Sequence, residues 1–369
     1  MKMTYKSLLF LPVAALCAAL YCTPVPNNPA GPGTDEPADT LAQQTPADST
    51  SQQSPTDTAG VQEPDRDWSW VDGYPVGVSV VKFAEALTAT DSCKGFVVTI
   101  DFTHNPNLRF NCRNTSKKKG PSKFFSSTDA ADGVPCLATN GGYFAGSTSV
   151  SLVAHKGSYT IPAYRAFNWP NDENAKCTLY PVRSALGQMK DGSFEIQWVY
   201  CTSPGARTHT VFPSWLDNNE QTETFMAEPP TADYCEGTWS WEPEEAMGGG
   251  PRLVQNGKDV STAAYWGECL NSGGTAAFGR HPRTGAGITA DGKLILIVCD
   301  GRGMDGSKGF TLAEFAAKFI SLGCTDAMNF DGGGSSCIVG AGGEILNHPN
   351  DGTERVVTSA IVISELPHK

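Results

Sequence analysis

The sequence predicts a β-rich, mixed α/β fold in which strands outnumber helices. Most of residues 68–369 reads as short apolar runs separated by Gly, Asn, Asp and Pro turns, for example 76–83, 95–102, 194–200 and 356–363. Only residues 311–322 carry a strong helical pattern. Residues 293–330 read as strand, helix and strand, which predicts a crossover within a mixed sheet with few helices.

Residues 1–22 are expected to be an export signal. Lys2 and Lys6 precede an apolar run at 8–21 that is too short for a stable spanning helix. Cys17 and Cys22 each end an Ala/Leu-rich stretch, and Cys22 is preferred as a lipid anchor because a Pro- and Asp-rich tail starts directly after it. An ordinary cleaved signal is the alternative. We therefore expect an exported protein of the periplasm or cell surface, lipid-anchored, that contacts a membrane only through this anchor.

Residues 23–66 are expected to be a disordered acidic linker. They are rich in Pro, Thr, Asp, Gln, Ser and Ala, and contain seven acidic residues with no basic residue before Arg66. Such a segment buries too little apolar surface to offset its ordering entropy. The folded domain is then expected at 67–369. It shows no basic clustering, which argues against a nucleic-acid partner, and the sequence does not define an oligomeric state.

The best-marked segment is 293–336. An apolar strand at 293–299 precedes Asp300, and a second strand at 327–330 precedes Asp331. Thr311 and Glu314 predict a capping box, and Gly323 predicts the end of the helix. The expected apolar stripe of this helix consists of Leu312, Phe315, Ala316, Phe319 and Ile320.

The two aspartates are predicted to lie together. If both strands belong to one sheet with the helix as crossover, they run parallel, and Asp300 and Asp331 leave the same sheet edge, where α/β sheets usually hold their chemistry. Taken alone, each aspartate followed by glycine is typical of an ordinary turn. With Arg302 between them and the Gly332-Gly333-Gly334 run after the second, a site is favoured.

Three further motifs add candidate binding residues. Asn140 lies in the motif 138–144, where a short apolar strand ends in a polar, Gly-rich turn, and Gly249 and Gly250 belong to a second triple-glycine loop at 248–254. Arg283 and Thr284 precede the strand region 286–289. The sequence also places Ser335 after the glycine run, and Arg355 could bring another cation. Arginines and glycine N–H groups suit an anion, and two carboxylates suit acid–base or nucleophilic chemistry, so a sugar phosphate would use both.

The aromatic-rich stretch 205–245 is predicted to be an insertion, whose aromatic side chains either stack on a sugar or form a small core of their own. Ten cysteines lie beyond the signal without a CxxC pair, which weakens a zinc-site interpretation. In an exported protein we expect some of them to form disulfides and others to be small buried side chains. The sequence requires no cofactor, and it neither requires nor excludes a structural calcium ion.

Six ordered motifs carry a resemblance to a known family. NGGYF, GGGPRLVQNG, HPRTGAG, VCDGR, GFTLAEFA and NFDGGGSS, in this order, resemble the phosphodiester glycosidase family over roughly residues 95–363, with 205–245 the least matched part. The resemblance implies a single domain of that family and hydrolysis of the anomeric C–O bond of a glycosyl-1-phosphodiester, similar to N-acetylglucosamine-1-phosphodiester. The substrate would be a sugar phosphate or phosphoglycan of the cell envelope or of an exogenous glycan.

The expected roles follow from this chemistry. Arg283 and Arg302, with glycine N–H groups that include Gly332 and Gly333, would hold the phosphodiester. Asp331 would be base or nucleophile, and Asp300 would orient the sugar or an arginine. Asn140, Thr284 and Ser335 would orient the sugar. Two alternatives stay open: a non-catalytic carbohydrate-binding lipoprotein, and a metal-dependent phosphodiesterase that cleaves P–O.

Overall fold

The computed structural model describes residues 67–170, 175–272 and 275–367. The expected export signal, the Cys22 anchor and the acidic linker lie outside these ranges and stay predictions. No helix in the described part of the chain is long and apolar enough to cross a membrane.

Three antiparallel sheets build the domain. The first has eight strands, in the spatial order β1 (Asp67–Val71), β2 (Val78–Ala86), β3 (Ser92–Ile100), β20 (Leu294–Cys299), β19 (Arg283–Thr289), β21 (Cys324–Asn329), β17 (Arg252–Gln255) and β18 (Lys258–Asp259). The second has seven, in the order β15 (Trp239–Ser240), β14 (Thr208–Phe212), β13 (Phe194–Ser203), β12 (Arg183–Gln188), β16 (Glu245–Gly248), β8 (Val153–His155) and β9 (Ser158–Ile161). The third has four: β22 (Ile338–Val339), β5 (Val134–Asn140), β23 (Val357–Glu365) and β4 (Leu108–Lys119).

Smaller elements complete the described chain. Two ribbons pair β10 (Phe167–Trp169) with β11 (Cys177–Leu179), and β6 (Phe144–Ala145) with β7 (Thr148–Ser149). The α-helices are α1 (Pro121–Ser126), α2 (Ser261–Gly267) and α3 (Leu312–Ser321), and 3₁₀ turns occupy Ala130–Asp132, Met304–Gly306 and Gly333–Ser335. The predicted β-rich fold with few helices is confirmed.

The three sheets share one hydrophobic core. Val98 of the eight-stranded sheet, Leu186 and Met247 of the seven-stranded sheet, and Ile361 of the four-stranded sheet belong to a single buried cluster. Such alternating apolar positions bury one face of each sheet against the others. Sheets that share a core cannot move independently without disrupting its packing. The strand ends that carry the site are therefore held in fixed positions relative to one another.

The strand–helix–strand segment folds as predicted, with one strand inserted. β19 lies between β20 and β21 and pairs antiparallel with both, so β20 and β21 run parallel as next-but-one neighbours. Neighbouring strands in the described sheets pair antiparallel throughout. β19 begins at the edge where β20 and β21 end. Asp300, Asp331 and Arg283 therefore start from the same sheet edge.

The helix between these strands has the predicted cap. The Glu314 N–H donates to Thr311 Oγ1 over 3.1 Å, and the Thr311 N–H donates to Glu314 Oε2 over 2.9 Å. Gly323 follows the helix with φ of 80°, where a glycine avoids the steric cost of a left-handed conformation. Phe315 and Phe319 pack into a second core beneath the eight-stranded sheet. Ile320 is the exception, because it lies at the margin of the stripe and is 36% exposed.

The segment 205–245 is integrated into the domain. It supplies β14 and β15 to the seven-stranded sheet. Phe212 and Trp241 are buried in the clusters of that sheet, and Trp215 packs edge-on against Trp198 with ring centroids 5.3 Å apart. The packing interpretation of these aromatic residues therefore holds, although the core is shared with the sheet rather than the insertion's own. Trp239 stays exposed.

The expected disulfides are absent from the described residues. All ten cysteines there are free thiols, and eight of them are buried. Most of these eight lie in strands of the cores, where they pack as small apolar side chains.

Candidate active site

Four strand ends from two sheets converge on one region. β20 and β21 end at the edge where β19 begins, and β5 of the four-stranded sheet ends beside them at Asn140. The Asp331 N–H donates to the Gly141 carbonyl over 3.2 Å, which joins the two sheets at this point. The turns that leave these strands thus carry Asp300, Asp331 and Asn140 to one region.

Asp331 carries a carboxyl group with a shifted pKa. Its side chain keeps partial access to solvent. Burial raises the pKa of Asp331 to about 6, and the Ser335 hydroxyl, the Arg355 guanidinium and the Gly332 N–H oppose this rise. A carboxyl group that titrates near the working pH can accept and return a proton in catalysis. The contacts of Ser335 and Gly332 place both predicted binding residues beside this carboxyl group.

Two arginines lie over the glycine turn that follows Asp331. The Arg302 Nη2 atom is 3.1 Å from the position that a Cβ of Gly333 would occupy, and the Arg355 guanidinium overlaps the same position on Gly334. Gly333 also has φ of 60°, where glycine is favoured. The glycines therefore let two guanidinium groups approach the backbone closely. Two neighbouring cations suit a phosphodiester anion.

Other side chains orient each of these arginines. Arg302 Nε donates to His281 Nδ1 over 3.1 Å. Burial, and then the charges of Arg283 and Arg302, lower the pKa of His281 to about 4, so its neutral ring accepts this bond at pH 7. Arg355 donates through Nε and Nη2 to Asp351 Oδ2 over 3.1 and 2.8 Å. Arg302 also holds φ of 55°, a strained conformation for a side chain of this size and one that concentrates at functional sites.

Asp300 orients a histidine, not a sugar or an arginine as predicted. Its Oδ1 accepts from Asn347 Nδ2 over 3.0 Å and from the His348 N–H over 2.8 Å, and its Oδ2 lies 3.1 Å from His348 Nδ1. Burial raises the pKa of Asp300, and the bonds from Asn347 and His348 oppose the rise. The carboxylate is buried, so it is out of reach of a substrate.

The Asp300–His348 pair resembles a proton-transfer pair. With Nδ1 directed at the aspartate, the Nε2 atom of His348 points away, and it has no hydrogen-bond partner among the described residues. The His348 side chain is about half exposed (48%). A histidine held by a carboxylate with its second nitrogen open is the arrangement in which a base is oriented by a third group.

Asn140 and Thr284 position the Asp331 turn. Asn140 Nδ2 donates to the Asp331 carbonyl over 2.7 Å, and its Oδ1 accepts from Thr284 Oγ1 over 2.8 Å and from the Cys337 N–H over 3.1 Å. Both side chains are buried. These contacts occupy the polar atoms that were predicted to orient a sugar, so the two residues act on the site through Asp331.

Arg283 is turned away from the predicted phosphate. Its Nε donates to the Phe310 carbonyl over 2.9 Å, and Nη2 donates to the Ala276 and Gly279 carbonyls over 2.6 and 3.0 Å. The side chain is only 3% exposed, and burial lowers its pKa. Three loop carbonyls accept from Nε and Nη2, and Arg283 therefore ties together the segments around His281.

The second glycine run is a packing element. The Gly249 N–H donates to the Ser184 carbonyl over 3.0 Å, and the Gly250 N–H donates to the Asn329 carbonyl over 2.8 Å. The Gly250 carbonyl accepts from Tyr143 Oη over 2.7 Å. In the Asp331 turn, the Gly333 N–H donates to the Pro282 carbonyl over 2.8 Å. The predicted anion nest therefore fails at Gly249, Gly250 and Gly333, because these N–H groups already have carbonyl partners.

Several buried hydroxyl groups around the site lack partners. Among the described residues, the side-chain oxygens of Ser336, Thr358 and Ser359 are buried and make no hydrogen bond. Ser359 Oγ lies 2.7 Å from the position that a Cβ of Gly141 would occupy, which places it beside the Asn140 turn. Buried hydroxyls are normally satisfied, so ligand oxygens or ordered water suit these positions.

The described residues contain no group of three or more His, Cys, Asp or Glu side chains placed to hold a metal ion. Glu314 is engaged in the α3 capping box and in an ion pair with Arg280.

A family comparison matches the part of the chain that carries most of the site. The model of the phosphodiester glycosidase family matches residues 216–364. The predicted resemblance to the phosphodiester glycosidase family is confirmed. The match includes Asp300, Arg302, Asp331, His348 and Arg355, and it leaves Asn140 and the β5 turn outside. It begins within the aromatic-rich segment, which was expected to be the least matched part.

Similar proteins are distant or matched over short stretches. The SPbeta prophage-derived uncharacterized protein YomE of Bacillus subtilis is 40% identical over 85 residues, which is 23% of this chain and 13% of that protein's length. The catalytic domain of zebrafish N-acetylglucosamine-1-phosphodiester alpha-N-acetylglucosaminidase, auto-inhibited by its pro-peptide, aligns with a TM-score of 0.53 at 15% identity, covering 81% of this chain and 88% of that one. A hypothetical protein from Synechocystis aligns with a TM-score of 0.47 at 19% identity, covering 78% and 62%.

These comparisons support two coarse statements. The fold is that of the phosphodiester glycosidase domain, and the family match supports a hydrolase of glycosidase type. The zebrafish domain shares the fold at an identity too low to carry its substrate over to this chain.

Sequence reasoning missed four residues of the site: Tyr143, His281, His348 and Asp351. Tyr143 and His281 belong to recognised motifs but were given no role. His348 and Asp351 lie in the turn Asn347-His348-Pro349-Asn350-Asp351, whose dense polar composition was the available signal. The contact between His348 and Asp300 joins residues 48 positions apart, which no local pattern reveals, whereas Asp351 and Arg355 are only four positions apart.

Proposed function

We propose that this domain hydrolyses the bond between the anomeric carbon of a sugar and a phosphodiester, releasing a free sugar and a phosphate monoester. The observation that carries the proposal is the Asp331 carboxyl group, with its raised pKa, beside the Arg302 and Arg355 guanidinium groups. A glycosidase needs a carboxyl group at the anomeric carbon, and an anionic leaving group needs cations. The family match supports the same class of reaction.

Arg302 and Arg355 hold the phosphodiester in this proposal. Arg302 is exposed and makes one side-chain hydrogen bond, through Nε to His281, so its Nη atoms face solvent above Gly333. Arg355 keeps Nη1 outside its bonds to Asp351. Arg283 is not assigned to phosphate binding, since its side chain is buried and its Nε and Nη2 donate to carbonyls.

The reaction breaks the C1–O bond, and the bonding electron pair leaves with the phosphate oxygen. The departing monoester has a second pKa of about 6, so it leaves as an anion without strong help from an acid. Asp331, as a carboxylate, either attacks C1 or takes a proton from a water that attacks C1. In both cases the water oxygen ends on the sugar, and the arginines stabilise the charge that grows on the phosphate.

His348 handles the water proton if Asp331 is the nucleophile. A glycosyl–Asp331 ester is released by water, and this water needs a base. The open Nε2 of His348, with Nδ1 held by Asp300, can accept the proton.

The substrate class in this proposal is a glycosyl-1-phosphodiester similar to N-acetylglucosamine-1-phosphodiester. Ser336, Thr358 and Ser359 offer unpartnered hydroxyls for ligand oxygens or water beside it. The pattern of residues 1–22 supports export and attachment at a cell surface. There the domain would have access to phosphoglycans of the envelope or of exogenous origin.

The test is release of sugar from a methyl-phospho-α-N-acetylglucosamine diester by the folded part of the chain, with and without chelator. We expect release by the wild type and loss of at least about 10²-fold in Asp331→Asn. Asp191→Asn, an exposed aspartate of the β12–β13 turn, is the matched control and should keep full activity.

Three outcomes would redirect the proposal. Full turnover by Asp331→Asn would remove Asp331 from the mechanism. Loss of wild-type turnover on chelation, with recovery on adding metal, would favour the metal-dependent phosphodiesterase. Tight binding of the diester without product on prolonged incubation would favour a non-catalytic carbohydrate-binding protein.

A further inference from the structure

A second cleft opens beside Arg302. It has a volume of about 620 Å³, and its lining includes Phe278, Arg280, Arg302 and Lys308. Arg302 borders this cleft and also covers Gly333, two residues from Asp331. A phosphodiester held by Arg302 would therefore have one substituent at Asp331 and could direct the other into this space. We call it the Lys308 cleft.

The cations of the Lys308 cleft differ in availability. Arg280 is neutralised, because its Nη1 donates to Asp91 over 2.7 Å and its Nε and Nη2 donate to Glu314 over 3.0 and 2.6 Å. The Lys308 side chain is exposed, and its ammonium group has no ion-pair or hydrogen-bond partner among the described residues. Lys308 is thus an unpaired cation among the described residues, and it lines the same cleft as Arg302, whereas Asp331 does not line it.

The backbone holds Lys308 in place. Its N–H donates to the Ser92 carbonyl over 2.8 Å, and its carbonyl accepts from the Arg302 N–H over 3.4 Å. The loop from Arg302 to Lys308 is closed by these bonds and by the bond from the Gly303 N–H to the Ser307 carbonyl, 2.8 Å. A second cation is therefore presented from the same closed loop as Arg302.

An exposed aromatic ring completes the cleft. Phe278 is 65% exposed, yet its ring is anchored against Tyr265 and Trp266, with centroids 6.0 Å from each. A fixed aromatic face beside cations suits a carbohydrate or polyol that carries charge.

We propose that the Lys308 cleft binds the aglycone, and that the preferred aglycone carries a second anionic group, as in a repeating phosphoglycan. This inference rests on the proposed function, since it takes the Asp331 side as the sugar subsite. Lys308 recognises the second anion, Arg302 holds the scissile phosphodiester, and Phe278 covers the linking carbons.

The experiment compares two diesters of α-N-acetylglucosamine-1-phosphate. One has a methyl aglycone, and the other has a glycerol aglycone that ends in a second phosphate. Affinity is measured by calorimetry on the Asp331→Asn protein, so that the result is independent of turnover, and kcat/KM is measured on the wild type. The test variant is Lys308→Gln. The matched control is Lys258→Gln, an exposed lysine on β18 that does not line the cleft.

We expect the diester with the second phosphate to bind roughly tenfold more tightly than the methyl diester, as for one charge-assisted hydrogen bond. Lys308→Gln should abolish this preference and leave the methyl diester unchanged, and Lys258→Gln should change neither. The preference should shrink with added salt. Equal affinity for the two diesters, or a preference that survives Lys308→Gln, overturns the cleft assignment. Binding discrimination without wild-type turnover would keep the cleft and reject the proposed hydrolysis.

Discussion

Asp331 is a carboxyl group that folding makes harder to ionise. Burial removes water from this carboxyl group and raises its pKa, and the nearby Ser335, Arg355 and Gly332 offset only part of that rise. Asp300, in contrast, is more deeply buried but accepts three hydrogen bonds from the Asn347–His348 turn. The two aspartates therefore have different roles, one facing the substrate space and one holding a histidine.

Asp331→Asn should stabilise the protein at alkaline pH but not in acid. Because the folded-state pKa of about 6 exceeds the ordinary value of 3.8, ionisation costs stability as the pH rises between these values. At pH 8 we expect the variant to gain roughly 1–3 kcal/mol in free energy of unfolding. Below pH 4 both side chains are neutral, and the gain should vanish. Urea unfolding at the two pH values measures this difference, and equal stability at pH 8 would contradict the raised pKa.

His348→Ala should reduce kcat strongly, and added imidazole should restore part of it. We expect a loss of about 10²–10⁴-fold, the size typical of a general base. Asp300→Asn should lower kcat as well, since it removes the acceptor that orients Nδ1. Rescue by imidazole distinguishes the two variants. Imidazole can replace the ring that is missing in His348→Ala, but it cannot reorient the His348 ring in Asp300→Asn. A fall in activity that imidazole leaves unchanged would assign His348 a structural role only.

At the scale of elements, the glycine turn after Asp331 links a sequence motif to the proposed phosphate site. The sequence predicted that N–H groups of the Gly332-Gly333-Gly334 run help to hold an anion, and the structure places the Arg302 and Arg355 guanidinium groups close over this turn. What the sequence could not indicate is that carbonyls occupy the glycine N–H groups. That outcome depends on Pro282 and Ser184, which come from distant parts of the chain.

Gly334→Ala should impair substrate binding while the fold is retained. A Cβ at this position overlaps the Arg355 guanidinium and lies 2.8 Å from Asp351 Oδ2, so the arginine must move. We expect KM to rise roughly tenfold, as for one lost charge-assisted bond, with a smaller change in kcat. Steady-state kinetics and circular dichroism measure the two effects. Gly323→Ala, after α3 and with open space around it, is the contrasting variant: it should lower stability without changing KM.

At the scale of the molecule, three sheets with a common core bring their strand ends to one site. Periodicity and caps predicted the strand–α3–strand segment, because these signals are local. They could not predict that β19 lies between β20 and β21, nor that β5 of another sheet delivers Asn140 to the Asp331 carbonyl. The Asn140–Asp331 contact joins residues 191 positions apart. The roles of Asp331 and the glycine turn therefore stay predictions, whereas Arg283, Asn140 and Thr284 are engaged in hydrogen bonds with other parts of the protein.

The most direct test of the account is hydrolysis of the α-N-acetylglucosamine phosphodiester in ¹⁸O-labelled water, with the phosphate product examined by mass spectrometry. The phosphate is the better readout, because a free reducing sugar can exchange its anomeric oxygen with water. If Asp331 directs attack at C1, the bridging oxygen leaves with the phosphate, and the phosphate monoester carries no label. Label in the phosphate would mean that the P–O bond is cleaved, and the assignment of this domain as a glycosidase would be wrong.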